Sequence, residues 1–530
     1  MKEFNTTAVC VPSRNYMVDI SDKVAEIRKL VDAGKYFTIS RARQYGKTTT
    51  LLALSRALQG EYVVLSLSFE GITKGGFETE GKFIQTFARL VLDQAEFYDV
   101  PIPDATAEAL GSLDAQDPEK LTMDMLFRTF RRWFVRSPMP VVLLIDEVDS
   151  ATNNQVFLDF LALLRDGYIA REAYNTPAFH TVILAGVTDV KHLKTKIRQD
   201  ADARVNSPWN IAADFNVDMS LSEAGIRGML EEYEGDHRTG MDTGRMAKLL
   251  REYTNGYPFL VSRLCQLIDT EVSKKYENPA NAWIREGFEA AVRLLLAESN
   301  TLFQSLTGKL NNFPRLRASL RSILMEGESL AWNLDKPEIA QMNMYGFICN
   351  HNNTVRIANR IFETRLYNLF LSDDELRSNA FCREGDLQRN IFVENGKLNV
   401  RLIMEHFIRT YHEVFGPLEE RFREKDGREL FLLYIKPIIN GTGNYYIEAE
   451  TRDQRRTDVI IDYLGQQYII ELKIWHGERY NARGEQQISD YLDYFGLSNG
   501  YMLSFNFNKN KQTGVKMVRI GDKTLCEGTV

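Results

Sequence analysis

Two groups of residues in this chain have the types and spacing that phosphate chemistry needs. The first is Gly46-Lys47-Thr48, set between the apolar run Tyr36–Ser40 and an apolar helical pattern. A glycine there lets backbone N–H groups close around a phosphate, the lysine reaches its outer oxygens, and the hydroxyl can join a Mg2+ shell. Arg43, Gln44 and Tyr45 lead into the triplet and Thr49 follows it, so Arg43–Thr49 would wrap the phosphates; Arg41 stands where a leading glycine is usual. Alone, the triplet is a weak signal and could also begin a helix that binds nothing. Further on, the apolar run Val141–Ile145 ends in Asp146-Glu147. A carboxylate at a strand's end can hold the metal shell, and its neighbour can polarise an attacking water. Read alone, Asp146 could merely cap a helix. The two pieces together point to ATP with Mg2+ or Mn2+, Thr48 and Asp146 on the metal and Glu147 as the catalytic carboxylate.

The second group is Asp458, Glu471 and Lys473, within RTDVIIDY and YIIELK. Both stretches are rich in β-formers and the turn between them, Leu464–Gln467, suits a hairpin. Strand alternation puts Glu471 and Lys473 on one face, and Asp458 and Asp462 likewise. Pairing the strands can bring Asp458 beside Glu471 and Lys473. Two carboxylates can hold Mg2+ or Mn2+ through oxygen, and the lysine can orient a water or stabilise charge on a phosphate. An E-x-K triplet by itself is often only a solvated sheet face. In β-β-α order this set resembles the core of PD-(D/E)XK nucleases. That resemblance implies roles for Gln487 and Tyr491, a Q-x-x-x-Y pair whose one-turn spacing shares a helix face. It also implies a metal-site role for Glu429 in GRELFLLYI, with Glu419, Glu420 and Glu424 as competing neighbours. Arg452, Arg455, Arg456, Arg479 and Arg483 bracket the group, as phosphate contacts or as ordinary surface charges.

Elements must position these residues. Tyr62–Phe69, Val141–Ile145 and Thr181–Val187 read as buried parallel strands, and Tyr36–Ser40 as a fourth. Helical patterns lie between them, the clearest having Leu126, Phe127, Phe130, Trp133 and Phe134 on its apolar side. Such alternation predicts an α/β, doubly wound parallel sheet. Thr188 or Asp189, just past the last strand, is where a polar side chain would sense the γ-phosphate, or is simply a turn. Arg198 and Arg204 are candidate arginine fingers or solvated charges. Pro258, in TNGYPFLV, marks a helix stop and restart in a lid that touches the base, or an interhelical turn.

The composition sets limits. A chain of 530 residues is too long for one core, given ~150 residues per domain. The net charge of -7 argues against a surface that is basic throughout, so any nucleic-acid contact must use local clusters. The five cysteines are odd in number and lack C-x-x-C spacing, which predicts free thiols in a reducing compartment. With no signal pattern and no apolar run of spanning length, a cytoplasmic protein without membrane contact is expected.

Taken over its length, the chain resembles bacterial AAA-ATPase-like (AAA+ or STAND-like) proteins that carry a C-terminal PD-(D/E)XK nuclease domain. The matching stretches are ISRARQYGKTTTL, VVLLIDEVDS, NSPWNIAADF, TNGYPFLVSRLC, IANRIFETRLYN and RTDVIIDY…IIELKIWHGERY. The Arg41 variant of the phosphate loop is a feature such proteins share. The resemblance implies a P-loop ATPase core over 1–220, a helical lid over 221–300 and a winged-helix-like module over 301–375. A linker over 376–390 and a restriction-endonuclease-like domain over 391–530 would follow. It further implies a tie to genome defence or mobile elements, and a homo-oligomer in which a neighbour's arginine completes the ATP site. Two readings of function compete: an ATP-regulated nuclease acting on nucleic acid, DNA before RNA, and a signalling switch or nucleic-acid-binding scaffold with an inactive nuclease fold. A DNA motor lacks support, because no helicase motif set is present.

Overall fold

The computed structural model describes residues 2–7, 9–152, 154–188, 209–325, 328–372, 379–415, 424–439, 443–448, 458–464, 466–475, 485, 488–489, 492–493, 496–506, 508 and 511–530. They form two compact units. The first comprises Met1–Met229 with Tyr257–Phe259 and Met344–Gly346; the second comprises Leu230–Gly256, Leu260–Asn343 and Phe347–Val530.

The first unit runs α1 (Ser21–Asp32), β1 (Phe37–Ser40), α2 (Lys47–Leu58), β2 (Val63–Ser68), α3 (Glu80–Tyr98), α4 (Asp104–Ala115), α5 (Met123–Arg136), β3 (Val141–Asp146), α6 (Gln155–Tyr174) and β4 (Thr181–Gly186). Its four strands are parallel in the order β1-β4-β3-β2. An isolated parallel bridge from Phe37 to Ala213 extends the ladder beyond β1. Strand β3 shows why the sheet reads as unbroken apolar runs. Val141, Leu143 and Ile145 join one core with Phe83, Phe87, Phe130 and Trp133. Val142 and Leu144 enter another with Val24, Ile27, Leu51 and Leu54. Successive strand residues face opposite ways, so a strand covered by helices on both faces must be apolar at every position.

Helix α7 (Glu223–His237) begins in the first unit and ends in the second, α8 (Thr243–Thr254) lies in the second, and α9 (Pro258–Leu267), whose first two residues belong to the first unit, follows the turn after α8. Then come α10 (Arg285–Ala297), α11 (Thr301–Asn312), α12 (Pro314–Met325), α13 (Pro337–Met344), the hairpin β5 (Ile348–His351) and β6 (Thr354–Ile357), and α14 (Arg360–Phe370). Where the sequence predicts a linker over 376–390, Ala380–Gln388 is helix α15. Its Phe381 is buried against Phe407, ring centres 5.4 Å apart. A short helix anchored by so few apolar positions leaves almost no periodic signal in a polar segment.

The remaining elements are β7 (Val393–Glu394), β8 (Lys397–Leu398), α16 (Val400–Phe415), α17 (Glu424–Ile439), β9 (Gly443–Glu448), β10 (Asp458–Tyr463), β11 (Gln466–Ile474), β12 (Asn499–Phe505), β13 (Gly514–Ile520) and β14 (Lys523–Thr529). A six-stranded sheet has the order β13-β14-β12-β11-β10-β9. Strands β9, β10 and β11 are an antiparallel meander, and β12 runs parallel to β11. Tyr463 pairs with Gln466, so a two-residue turn joins β10 to β11, with Leu464 at φ 45.

Within this unit a buried acid joins the helical part to the sheet. Asp462 of β10 is 1% exposed. It accepts hydrogen bonds from the Tyr253 hydroxyl of α8 and from Gln467 at 2.9 Å. Arg285 of α10 lies 3.4 Å away and also meets buried Glu289 at 3.0 Å. Burial pushes the Asp462 carboxyl up, and Tyr253, Arg285, Arg360 and Gln467 pull it back down. Arg285, which burial alone would lower, is raised by Asp462 and Glu289. Removing one member of such a set strands the others without solvent. Asp462→Ala is expected to lower the unfolding free energy by about 3 to 5 kcal/mol, and Tyr253→Phe by about 1 to 3 kcal/mol. Urea unfolding followed by tryptophan fluorescence measures both.

Candidate functional site

Strand β1 ends at Ser40, and the chain turns through Arg41–Gly46 before α2 begins at Lys47. Gln44 and Gly46 take left-handed backbone angles, φ 56 and 79. Gly46 adopts this without steric penalty, which turns the chain sharply into the helix. The loop's shape explains Arg41. Its guanidinium donates to the carbonyls of Ser40 and Val217, both at 2.9 Å, and lies 5.3 Å from the Phe215 ring centre. The side chain thus ties the start of the loop to the Phe215–Val217 segment.

Lys47 is 5% exposed, and its ammonium donates to the carbonyls of Arg41 at 3.1 Å and Ala42 at 3.2 Å. Burial lowers its pKa, while Glu147, Asp146 and Asp149 act to raise it. A cation held by carbonyl dipoles gains when a formally charged phosphate oxygen comes within reach. Thr48 Oγ1 donates to Asp146 Oδ2 at 2.6 Å, so the two oxygens expected on the metal are already neighbours. A hydroxyl and a carboxylate are hard oxygen donors, the set that suits Mg2+. The other Asp146 oxygen accepts the backbone N–H of Glu147 at 2.8 Å.

Glu147 has a left-handed backbone, φ 54, a strained angle for a non-glycine residue at the end of a strand. Burial raises its carboxyl pKa and Lys47 pulls it down. A half-buried glutamate with raised basicity, near the loop lysine, is suited to take up a proton from water. Thr49 accepts the backbone N–H of Cys10 at 3.2 Å. Tyr257 donates its hydroxyl to the Arg43 carbonyl and meets Tyr45 edge-on at 4.7 Å. Pro258 lies 3.8 Å from where a Gly46 Cβ would be. The segment read as a lid turn thus lies against the loop. Sequence reasoning missed Tyr257, although it stands in the same TNGYP stretch.

A family model for the AAA-like domain matches residues 4–372. The chain belongs to that family. No curated protein shows a significant match to the chain. Among solved structures, this AAA-like domain protein is similar to the Walker-type ATPase of Pyrococcus abyssi, with TM-score 0.47 and 14% identity over 68% of this chain and 99% of that one. It is also similar to the Aeropyrum pernix ORC2 protein, with TM-score 0.35 and 13% identity over 70% and 98%. The Thermotoga maritima RuvB Holliday junction branch migration motor matches with TM-score 0.32 and 11% identity over 64% and 92%. With the Lys47, Thr48 and Asp146 geometry, family membership makes the first unit an AAA-type, nucleotide-binding P-loop fold.

Of the other expected site residues, Thr188 lies just past β4 and its backbone is tied to Asp149. Asp189, Arg198, Arg204, Gln487 and Tyr491 lie outside the described residues, as do the five bracketing arginines. In the six-stranded sheet Asp458 pairs directly with Glu471 across β10 and β11. Glu471 and Lys473 are both buried. Glu429 is in α17, with Arg321 3.5 Å from its carboxylate. All five cysteines are free thiols. Among the described residues, no helix is long and apolar enough to cross a membrane.

Lys47→Ala is expected to weaken ATP binding by about 2 kcal/mol or more, measured by titration with a fluorescent ATP analogue. Thr48→Ala is expected to retain metal-free binding and to lose the added affinity that Mg2+ gives wild type.

Proposed function

We propose that the chain hydrolyses ATP in its AAA-like domain and cleaves nucleic acid, DNA before RNA, at a metal-dependent site on its C-terminal sheet, with the nucleotide state regulating cleavage. What supports hydrolysis is Glu147, half-buried and raised in pKa beside the Thr48–Asp146 pair. The nuclease reading rests chiefly on one observation, the register that pairs Asp458 with Glu471. Directly opposed residues of an antiparallel pair share a face, with Cβ atoms about 5 Å apart. Lys473 follows two residues later on that same face.

Asp458 and Glu471 would hold Mg2+ or Mn2+, which supplies a Lewis acid for the phosphate and a more acidic bound water. Lys473 would stabilise charge on the phosphate oxygens or orient the attacking water. Because β12 is parallel to β11, a crossover must separate them, and Gln487 and Tyr491 fall in that crossover. In the PD-(D/E)XK pattern it is a helix bearing this Q-x-x-x-Y pair.

Regulation is supported by chain continuity. Tyr253 is bonded to Asp462 on the strand that carries Asp458, and Tyr257, four residues on, is bonded to the phosphate loop. A nucleotide that shifts the loop carbonyl therefore acts on a turn whose other end holds β10.

Plasmid and single-stranded DNA, incubated with Mg2+ or Mn2+ with and without ATP, test the proposal. Lys473→Ala is expected to abolish cleavage while leaving ATP binding intact. Lys47→Ala is expected to alter the response of cleavage to ATP. Cleavage that survives Lys473→Ala would refute the site, and no cleavage of DNA or RNA by wild type would favour the scaffold reading.

A further inference from the structure

The turn after Glu147 contains an acid whose contacts serve neither metal nor helix cap. Asp149 Oδ2 accepts the backbone N–H of Val187 at 2.6 Å, and Oδ1 accepts that of Thr188 at 2.7 Å. One carboxylate thus grips two successive amides just past β4. Charge-assisted bonds of this kind are short, and using both oxygens fixes orientation as well as distance. Two further contacts show that the grip is built in. A Cβ on Gly186 would lie 3.0 Å from Asp149 Oδ2, so a larger residue would press on the carboxylate. From the β1 side, the Ser40 hydroxyl lies 3.4 Å from the Thr188 carbonyl. The turn bearing Asp149 is itself anchored, because Ser150 Oγ lies 3.1 Å from both the Phe69 and Glu147 carbonyls.

We propose that Asp149 is a positioning residue of the ATPase, holding the Val187–Thr188 loop at a fixed separation from Glu147. This rests on the hydrolytic reading above, in which Glu147 polarises the water, and takes Thr188 as the γ-phosphate sensor, one of the two readings its place just past β4 allows. Glu147 and Asp149 share one short turn, so the carboxylate that grips the Thr188 loop moves with the one that activates water. Small errors in such a separation are costly, since a misplacement of about 1 Å can lower a rate about 100-fold. Asp149 touches neither water nor phosphate in this scheme and acts only through the loop. Its influence therefore falls on turnover rather than on ground-state affinity.

The test compares steady-state ATP hydrolysis and mant-ATP binding in the full chain for wild type, Asp149→Ala and Asp149→Asn. Asparagine keeps one acceptor oxygen and replaces the other with a donor. For Asp149→Ala, kcat is expected to fall about 100-fold while the mant-ATP Kd changes less than about threefold. Asp149→Asn is expected to recover part of the loss. Equal losses of kcat and affinity, with asparagine no better than alanine, would assign Asp149 a merely structural role and overturn the proposal. Unchanged kcat in Asp149→Ala would overturn it alone. A wild-type chain that binds mant-ATP but turns none over would remove the hydrolytic reading, and this proposal with it.

Discussion

The constraint on which the first unit depends is the parallel ladder of β1, β4 and β3. Because the strands run the same way and pair in register, their C-terminal ends Ser40, Gly186 and Asp146 fall on one edge of the sheet. The phosphate, metal and water groups proposed for ATP chemistry issue from those ends. The phosphate loop follows Ser40, the metal and water carboxylates follow Ile145, and the Thr188 loop follows Gly186. Open α/β sheets bind their ligands outside the carboxyl ends of the strands, where the βα loops gather. Helices on both faces bury the sheet between two apolar cores.

Charges at that edge are arranged against the cost of burial. An ammonium as enclosed as Lys47 would tend to lose its proton; two backbone carbonyls and three nearby acids counter this. The carbonyls are neutral dipoles, so they hold the lysine without neutralising it. Asp146 works differently, spending one oxygen on Thr48 and the other on the Glu147 amide. In the second unit Asp462 meets the same cost with a hydroxyl, an amide and a guanidinium. Its partners on α8 and α10, Tyr253 and Arg285, are what the sequence position of Asp462 alone does not show.

Much of this was legible in the sequence where a rule of local geometry applied. Alternation forced VVLLI to be a strand covered on both faces, and strand period put Glu471 and Lys473 together. Tertiary partners were not legible. Alternation assigns Asp458 and Asp462 to one face, yet cannot say that Tyr253 and Arg285 will close over the second. Arg41 read as a missing glycine because Phe215 and Val217, which receive its guanidinium, are distant in the chain. The helix Ala380–Gln388 was hidden because its burial comes from Phe407 and Tyr434 rather than from its own periodicity. Asp149 could have drawn notice as a third acid in DEVD. Nothing local, however, distinguishes an acid that grips two amides from one that faces solvent.

The turn between α8 and α9 brings these threads together. Asn255 and Gly256 are both left-handed, φ 49 and 69, and the Thr254 hydroxyl accepts the Gly256 N–H at 3.1 Å. Asparagine and glycine are the residues that take such positive angles most readily, so the sequence closes this turn at little steric cost. Its flanking tyrosines are both committed, Tyr253 to a buried carboxylate and Tyr257 to a loop carbonyl, and burial raises the pKa of Tyr257, which keeps it a donor. Each phenol thus meets the cost of burial by donating its hydroxyl, which is how two polar side chains four residues apart can both lie in the interior.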